Sequence, residues 1–324
     1  MVATVLLVDA RQPDSEVMQR MGAALRAGEL VAFPTETVYG LGADALNSAA
    51  VSKIFTVKNR PYFDPLIVHV DDKKKLEAIC YLNEQAKKLM ELFMPGALTL
   101  VLRKKKIIPS IVTAGLPTVA VRMPAHPVAK KIIKRANTPV AAPSANEFGY
   151  LSPTAAKHVD EQLGKKIDLI IDGGPCKLGI ESTIIGFEDS KPVLLRYGGI
   201  PVEEIENAVG KISIKNFSEK PSAPGQLPWH YSPRTKIKIF SERIPVGKNE
   251  KAGYLFFRKP NQMPKSSAIK ILSAEGNLTE AASRLFDCLH KLDKKNPDII
   301  YAEAVPEKGV GRAIMDRLKK ASKR

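Results

Sequence analysis

The first 210 residues alternate short apolar, β-branched runs with amphipathic stretches, and this alternation constrains the fold more than any other feature. Apolar runs at residues 30–33, 66–70 and 118–123 are typical of strands. Amphipathic spacing after Pro13, closed by Gly28, is typical of a helix. Strands alternating with helices bury their apolar faces best as a sheet covered by helices. We therefore predict an α/β (α+β) domain around a twisted mixed sheet over residues 1–211.

The same reasoning places the other elements of this part. The remaining predicted strands are residues 2–8, 97–102, 140–142, 169–171, 182–187 and 193–196. The remaining predicted helices are residues 48–57, 84–94 and 127–135, with a further helix that Ser152 could cap and that runs to about residue 163.

Residues 212–234 differ in character from the parts before and after them. Residues 221–228 are rich in Pro, Ser and Gly and cannot form regular structure. Trp229, His230 and Tyr231 follow, and three aromatic rings in a row are costly to expose in a plain linker, which is normally polar. We predict that this linker docks on another part of the molecule.

A second, smaller α/β unit is predicted over residues 235–324. Its predicted strands are residues 236–240, 253–257, 268–272 and 298–302, and its predicted helices are residues 279–292 and 311–321. Strands joined through a crossover helix indicate a Rossmann-like parallel sheet.

Composition narrows the class of protein. Apolar residues make up 44% and charged residues 26%, which excludes general disorder. No apolar run approaches the ~20 residues of a membrane span, and the N-terminus has no basic leader. The three cysteines form no CxxC pair, which excludes a cysteine zinc finger and fits a reducing compartment. We expect a cytoplasmic enzyme or binding protein that does not contact a membrane.

Positive charge is concentrated in the C-terminal part. Residues 211–324 hold 24 Lys and Arg against 11 Asp and Glu, whereas residues 1–210 hold 26 against 23. A basic face can attract nucleic acid. A solvated, Lys-rich surface explains the charge equally simply, because the lysines are scattered and no exposed aromatics are interleaved with them.

Several familiar motifs are absent. The sequence has no GxxxxGK[ST], no HExxH and no GxGxxG after a strand. Gly309 and Gly311 precede a helix without a third glycine, so a helix start explains them better than a nucleotide loop. Five widely spaced histidines do not predict a metal site.

Polar residues inside apolar, strand-like runs are the main candidates for chemistry. FPTETVYGLG, from Phe33, puts Thr and Glu at a strand end before two glycines that suggest a turn. Lys58 and Arg60 on a constrained loop suit a phosphate chain, although basic residues also cap helix ends. His69 lies in the run LIVHV and, taken alone, is more typical of a buried core histidine.

Three further segments show the same pattern. Arg122 lies in a β-run and would bind a carboxylate if it pointed into a site. Ser144 and Asn146 follow a strand end, where small polar groups often line ligand crevices, although a Ser/Asn turn explains them as well. Polar residues also interrupt the strands around Ser182 and Arg196. No single segment decides the function.

Together these motifs resemble the YrdC-like family of threonylcarbamoyl-AMP synthases, including its longer form with an added C-terminal domain. The resemblance rests on FPTETVYGLGADA, the Lys58-x-Arg60 pair, PLIVH, the Ser144-x-Asn146 pair and ESTII. It extends over residues 10–200 and, with less detail, from residue 223 to the C-terminus.

The resemblance implies a nucleotidyltransferase reaction. L-threonine, bicarbonate and ATP would give L-threonylcarbamoyladenylate and pyrophosphate. A separate threonylcarbamoyl-transferase complex would then use the product to form threonylcarbamoyladenosine next to the tRNA anticodon. Magnesium is expected with ATP. No tightly bound organic cofactor and no protein metal ligands are expected.

The resemblance also implies roles for individual residues. Lys58 and Arg60 would be catalytic, with Lys58 close to the phosphates. The implied L-threonine contacts are Thr37, His69, Arg122, Ala142 and Ser182, and Arg122 would take the carboxylate. The implied ATP contacts are Lys58, Arg60, Asp64, Thr118, Ser144, Asn146, Ser152, Arg196 and Tyr231. In the longer form the linker folds over the active site, and HYSP at residues 230–233 matches its end.

Two other functions stay open at this point. A non-catalytic RNA-binding module of the same fold would use the basic C-terminal part, and weak tRNA binding is compatible with either function. A carbamoyl-transfer enzyme of hydrogenase maturation shares a related domain, but it should carry cysteine zinc fingers, which this chain lacks.

Overall fold

The structure is a computed structural model that describes residues 3–218, 221–228, 230–245, 251–266 and 268–323. The strands of the first sheet are β1 (Thr4–Leu7), β2 (Val31–Phe33), β3 (Gly40–Asp44), β4 (Ile67–His69), β5 (Leu98–Arg103), β6 (Thr118–Arg122), β7 (Val140–Ala141), β8 (Leu169–Asp172), β9 (Thr183–Glu188), β10 (Lys191–Arg196) and β11 (Ser213–Ile214). The helices that accompany it are α1 (Ser15–Arg26), α2 (Ser48–Lys58), α3 (Lys73–Ile79), α4 (Glu84–Phe93), α5 (Pro127–Ala136), α6 (Ala156–Leu163) and α7 (Val202–Val209).

The first sheet has eleven strands in the order β1-β8-β2-β3-β7-β4-β6-β5-β9-β10-β11. The pairs β1–β8, β2–β8, β4–β6, β5–β9 and β10–β11 are parallel, and the other five pairs are antiparallel. The predicted mixed sheet is therefore confirmed.

Helices cover this sheet because their apolar stripes match its buried residues. Met18, Met21 and Leu25 of α1 pack with Ile132 and Ile133 of α5 in one apolar cluster. Asp14 caps α1 by accepting from the N–H groups of residues 16 and 17. Side-chain caps of this kind satisfy N–H groups that the first helical turn leaves without partners.

The second sheet is smaller and fully parallel. Its strands are β12 (Lys236–Phe240), β13 (Ala252–Phe256), β14 (Ile269–Ile271) and β15 (Ile299–Glu303), in the order β12-β15-β13-β14. Helix α8 (Leu278–Asp293) crosses over from β14 to β15, and α9 (Gly311–Ala321) follows β15. This is the Rossmann-like unit that the sequence predicted.

The two sheets share one apolar cluster. Val38, Leu151 and Ile180 from the first part are buried with Phe286 and Leu289 of α8. This contact places α8 and α9 directly behind the loops that follow the strands of the first sheet.

The prediction of a turn at Gly40 and Gly42 is wrong. Gly40 and Gly42 lie in strand β3, which pairs with β2. A Cβ at Gly42 would come within 2.6 Å of the Phe33 ring, so the glycine allows close packing between two strands.

The prediction that Ser152 caps a helix is also wrong. Helix α6 begins after Ala155 and has no side-chain cap. The Ser152 hydroxyl instead donates to Glu181 Oε1 at 2.5 Å. A buried carboxylate is a stronger acceptor, so the tertiary contact replaces the local one.

Four elements, β3, α3, α7 and β11, were not predicted, and β11 lies inside the proposed linker. Val2 and Trp229, named in the predicted first strand and linker, lie outside the described residues. The helices of the described part include none with the length and apolar character needed to cross a membrane.

Candidate active site

A narrow cavity of about 50 Å³ opens where β4, β6 and β10 end, between the loop after β2 and the described residues among 224–231. Nine of the predicted site residues line it together: Thr37, Arg60, His69, Arg122, Ala142, Ser144, Ser182, Arg196 and Tyr231. Five lie outside the lining: Lys58, Asp64, Thr118, Asn146 and Ser152.

Arg122 lies at the end of β6 and points into the cavity. Its Nη1 donates to Thr37 Oγ1 at 2.9 Å and its Nε to Gly96 O at 3.1 Å. Its Nη2 lies 2.5 Å from Glu36 Oε1. A guanidinium has five N–H donors, so this buried cation keeps capacity for an anionic ligand.

Glu36 contacts Arg122 and fixes its position without lining the cavity itself. Its second oxygen accepts from the N–H groups of Ala125 and His126 at 3.0 and 3.3 Å. Burial alone would raise the pKa of Glu36, but Arg122 and these hydrogen bonds hold it below its usual value. The carboxylate is therefore charged and its geometry is fixed.

His69 is buried at the end of β4 and lines the same cavity. Burial, assisted by nearby Arg122, lowers the pKa of His69 to about 3, so its imidazole is neutral at physiological pH. Its Nδ1 has no hydrogen-bond partner among the described residues. This nitrogen is therefore able to accept a hydrogen bond from a molecule in the cavity.

Ser182 precedes β9 and joins two parts of the cavity. Its hydroxyl lies 2.7 Å from Thr99 Oγ1 and accepts from Arg196 Nη2 at 3.0 Å. Arg196 also donates through Nε to Ser182 O and through Nη1 to Pro224 O, at 3.1 and 3.3 Å. Arg196 therefore joins the first sheet to the segment that precedes Tyr231.

Arg60 follows α2 and is fixed by the loop that leads to β4. Its Nη2 lies 2.9 Å from Asp64 Oδ2, and its Nε and Nη2 donate to the carbonyls of Asp64 and Pro65. Burial raises the pKa of Asp64, whereas Arg60 and Lys58 lower it. Asp64 thus holds Arg60 in place from behind the cavity.

Lys58 takes a different place from the one its motif suggested. Its amine is buried and donates to the backbone carbonyls of Ser144 and Asn146. Burial, assisted by Arg60, lowers the pKa of Lys58 well below its usual value. In this arrangement Lys58 fixes the Ser144 loop and does not itself line the cavity.

Of the remaining outlying residues, Asn146 lies in the loop that follows the lining residue Ser144, whereas Thr118 lies away from the cavity. Asn146 donates to the carbonyls of Glu147 and Tyr150, which leaves its Oδ1 buried without a partner among the described residues. Thr118 begins β6 opposite Arg103, one strand length from Arg122.

The described residues among 224–231 close one side of the cavity. Gly225, His230 and Tyr231 line it, and the Tyr231 hydroxyl is buried without a partner among the described residues. Gly225 has φ +85°, and a Cβ there would come within 2.6 Å of that hydroxyl. Only glycine fits this close approach without displacing a neighbour.

Two residues that shape the site carried no role in the sequence analysis. Glu181 lines the cavity, and Arg317 of α9 donates to it through Nε at 2.8 Å. Glu181 lies in the ESTII motif, but its sequence context does not show its partner. Nothing in the sequence distinguishes Arg317 from the other cations of its helix, such as Lys319.

The carboxylates around the cavity are already paired and offer few free oxygens to a metal ion. Glu36, Asp64 and Glu181 are each paired with an arginine. Within the described ranges, no group of three His, Cys, Asp or Glu side chains could hold a metal. The donor set therefore does not fit a magnesium ion held by the protein.

The fold and the cavity define a protein that binds small anionic substrates, since three buried arginines and several hydroxyls converge on one enclosed space.

Two family models match the chain. The model named Sua5_yciO_yrdC, described as telomere recombination, matches residues 23–198, and the threonylcarbamoyl-AMP synthase C-terminal domain matches residues 200–323.

Two relatives and one solved structure are similar to this chain over nearly its full length. The threonylcarbamoyl-AMP synthase of Pyrococcus abyssi is 42% identical over 98% of this chain and 97% of its own. That of Bacillus subtilis is 44% identical over 95% and 93%. The crystal structure of P. abyssi Sua5 with L-threonine superposes with a TM-score of 0.93 at 40% identity, over 99% of this chain and 98% of its own.

The chain belongs to the Sua5/YrdC family of threonylcarbamoyl-AMP synthases, as its motifs predicted. It is an enzyme of the nucleotidyltransferase type. Similarity over nearly the full length favours this function over a non-catalytic RNA-binding module.

Proposed function

We propose that the chain converts L-threonine, bicarbonate and ATP into L-threonylcarbamoyladenylate and pyrophosphate, for threonylcarbamoyladenosine modification of tRNA. The observation that carries the proposal is the single cavity lined by Arg60, Arg122 and Arg196. Such a cavity can hold two anions together and stabilise the charge that develops between them.

Threonine would bind at the Arg122 side. The guanidinium would take the carboxylate through its remaining donors, while Thr37 and Ser182 offer hydroxyls. The unpartnered Nδ1 of neutral His69 can accept a hydrogen bond from the threonine hydroxyl or amine. Ala142 lines the same wall and limits its size.

ATP would bind between Arg60, Arg196 and Ser144, with Tyr231 against the nucleotide. The unpartnered oxygens of Asn146 and Tyr231 are polar groups that a nucleotide can satisfy. Lys58, Asp64, Thr118 and Ser152 would act from behind the lining by fixing its loops. Magnesium would enter as the ATP complex, because the nearby carboxylates are paired with arginines.

The chemistry needs no covalent nucleophile from the protein. The threonine amine adds to carbon dioxide with loss of a proton, or to bicarbonate with loss of water, and gives a carbamate. A carbamate oxygen then attacks the α-phosphorus, the bond to the bridging oxygen breaks, and pyrophosphate leaves. Arginines already fixed by hydrogen bonds can stabilise the phosphorane-like charge without reorganising.

The segment around Tyr231 would shield the adenylate from water. In this proposal residues 1–211 form the catalytic domain, residues 212–234 the linker over its active site, and residues 235–324 the C-terminal domain. The product would pass in the cytoplasm to a separate threonylcarbamoyl-transferase complex.

Pyrophosphate release without RNA tests the proposal. The purified chain is given ATP, bicarbonate and either threonine, serine or valine. We expect release that requires bicarbonate and is fastest with threonine. Arg60→Lys should lower kcat/KM for ATP about 100-fold, because lysine cannot reproduce the fixed guanidinium.

Arg103→Lys, on the exposed end of β5, is the matched control and should retain full activity. Absence of threonine-dependent release in the wild-type chain would refute the proposal. Retained RNA binding in that case would favour the RNA-binding module.

A further inference from the structure

Arg317 of α9 is a cation buried next to the cavity, although it belongs to the other sheet. It is 1% exposed, and its Nη1 and Nη2 donate to Asp316 Oδ2 and Tyr197 O at 2.7 and 2.9 Å. Its Nε donates to Glu181 Oε2 at 2.8 Å. A guanidinium buried so completely persists only where its donors are satisfied.

Glu181 explains why a cation is needed there. It lines a cavity whose other charged residues are arginines, and in the proposed function a free carboxylate there would repel phosphate. Burial alone would raise the pKa of Glu181, but Arg317 and Arg196 outweigh it and hold it below its usual value. Glu181 is therefore charged at neutral pH, and Arg317 is its direct counter-charge.

Both Glu181 oxygens are used for positioning. Oε2 accepts from Arg317, and Oε1 accepts from Ser152 Oγ at 2.5 Å. The hydrogen-bonded series Arg317–Glu181–Ser152 thus connects the C-terminal helix to a residue proposed to support the ATP site from behind its lining.

The same helix supports the segment over the cavity. The Arg317 guanidinium carbon lies 4.6 Å from the centre of the Tyr231 ring, within cation–π range. Lys320 Nζ, one turn further on, donates to Gly225 O at 2.7 Å. Gly225 and Tyr231 both line the cavity.

We propose that Arg317 is a positioning residue for ATP: it neutralises Glu181 and holds Ser152 and Tyr231 in the geometry that accepts the phosphate chain. The inference rests on the proposed function. It assigns α9 of the C-terminal unit a specific contribution to nucleotide binding, made through charge as well as packing.

Kinetics and binding test the proposal together. We compare wild type, Arg317→Met, the double variant Arg317→Met/Glu181→Gln and Arg312→Ala. The KM of ATP and of threonine are measured by pyrophosphate release, and the Kd of ATP by calorimetry without threonine. Arg317→Met should raise the KM and Kd of ATP at least about tenfold, while the KM of threonine changes less than about twofold.

Arg317→Met/Glu181→Gln separates charge compensation from folding. Because glutamine at position 181 carries no charge, no carboxylate is left uncompensated in the cavity. The affinity for ATP should therefore return most of the way to the wild-type value, although the contacts of Arg317 and of the Glu181 carboxylate are missing. Arg312, on the same helix, pairs with Glu203 and does not line the cavity, so Arg312→Ala should match wild type. A purely structural role would instead lower both affinities and the melting temperature, without rescue.

Equal losses for the two substrates, unchanged ATP affinity in Arg317→Met, or no recovery in the double variant would overturn the proposal. If Arg317→Met does not fold, Arg317→Lys serves instead, with a smaller ATP-selective loss expected. A wild-type chain that binds ATP but releases no pyrophosphate refutes the proposed function, and the Kd comparison then still decides the role of Arg317.

Discussion

Two buried arginine–glutamate pairs flank the cavity, and they are built differently. Arg122 and Glu36 belong to the first sheet and its loops, 86 residues apart in sequence. Arg317 and Glu181 are 136 residues apart and join the C-terminal helix to the segment before β9. The first pair leaves its cation facing the cavity, whereas the second leaves its carboxylate there.

The difference indicates which pair binds substrate and which prepares the site. A cation with unused donors can take an anion directly. A carboxylate in the same cavity is compatible with anions only when a counter-charge lies behind it. In the proposed function the first sheet therefore supplies the binding groups, and the C-terminal unit supplies the counter-charge to Glu181 and contacts the segment around Tyr231.

The largest effect should come from breaking the first pair. Arg122→Ala leaves Glu36, whose side chain is 12% exposed, without its cation, so we expect a loss of about 3 kcal/mol in the free energy of unfolding. The kcat/KM for threonine should fall by at least about 100-fold, since the carboxylate loses its partner. Chemical denaturation and pyrophosphate release measure the two effects.

The double variant Arg122→Ala/Glu36→Gln is the control for that prediction. It should regain much of the stability, because no buried charge is left unpaired, but none of the activity. Recovery of activity would show that Arg122 only balances Glu36 and does not bind threonine.

Low pH should destabilise the folded protein through two buried histidines that lie near the two arginine–glutamate pairs. Burial lowers the pKa of His69, beside the first pair, and of His290, whose Nε2 lies 3.2 Å from Ser152 O, to about 3 each. Unfolded histidine takes a proton near pH 6.5, so the unfolded state binds more protons below that pH. Stability is therefore full above about pH 6.5 and is lost as pH falls towards 3.

At pH 5 each of these two histidines should cost about 2 kcal/mol of stability relative to pH 7. Thermal unfolding at pH 8, 7, 6 and 5 measures the trend. His290→Phe keeps a ring against His158 but cannot titrate, so its pH dependence should be shallower than that of wild type. Parallel curves for the two proteins would contradict the prediction.

The smallest effect should come from the segment over the second pair. Gly225→Ala places a methyl group against the Tyr231 hydroxyl and Arg196 Cδ, at 2.6 and 2.8 Å. We expect a loss of about 1–3 kcal/mol in stability, from strain at positive φ and from the displaced side chains. The KM of ATP should rise while that of threonine stays unchanged.

Gly210→Ala is a matched control for this change. Gly210 has φ +82°, close to that of Gly225, but a Cβ there has no neighbour within 4 Å. It should show the backbone strain alone and normal ATP kinetics. Equal kinetics for the two variants would show that the Tyr231 contact does not matter for ATP.

Local patterns were enough to predict most elements of the fold. Helix α5 begins at a proline and has an apolar stripe, and β6 is a β-branched run, so both follow from short-range sequence. Helix α7 was missed although Pro201 and two acidic residues mark its start. Signals for such short helices are easily taken for turns.

Errors arose where a distant residue decided a local conformation. Glycines 40 and 42 suggested a turn, but both lie in strand β3, and the Phe33 ring of the neighbouring strand requires a glycine at position 42. Ser152 has the chemistry of a helix cap, but Glu181 takes its hydroxyl. Neither partner could be identified from residues nearby in sequence.

The sequence by itself determined most of the strands and helices, the family, and a set of candidate residues of which nine line one cavity. The elements follow from periodicity, and the family and the candidate residues follow from motifs that resemble those of the family. Only the tertiary structure decided that Lys58 lies behind the lining, that Glu36 and Glu181 need arginine partners, and that α9 supplies one of them. The physical reason is that a buried charge selects its partner through packing in space, across separations that leave no periodic trace in the chain.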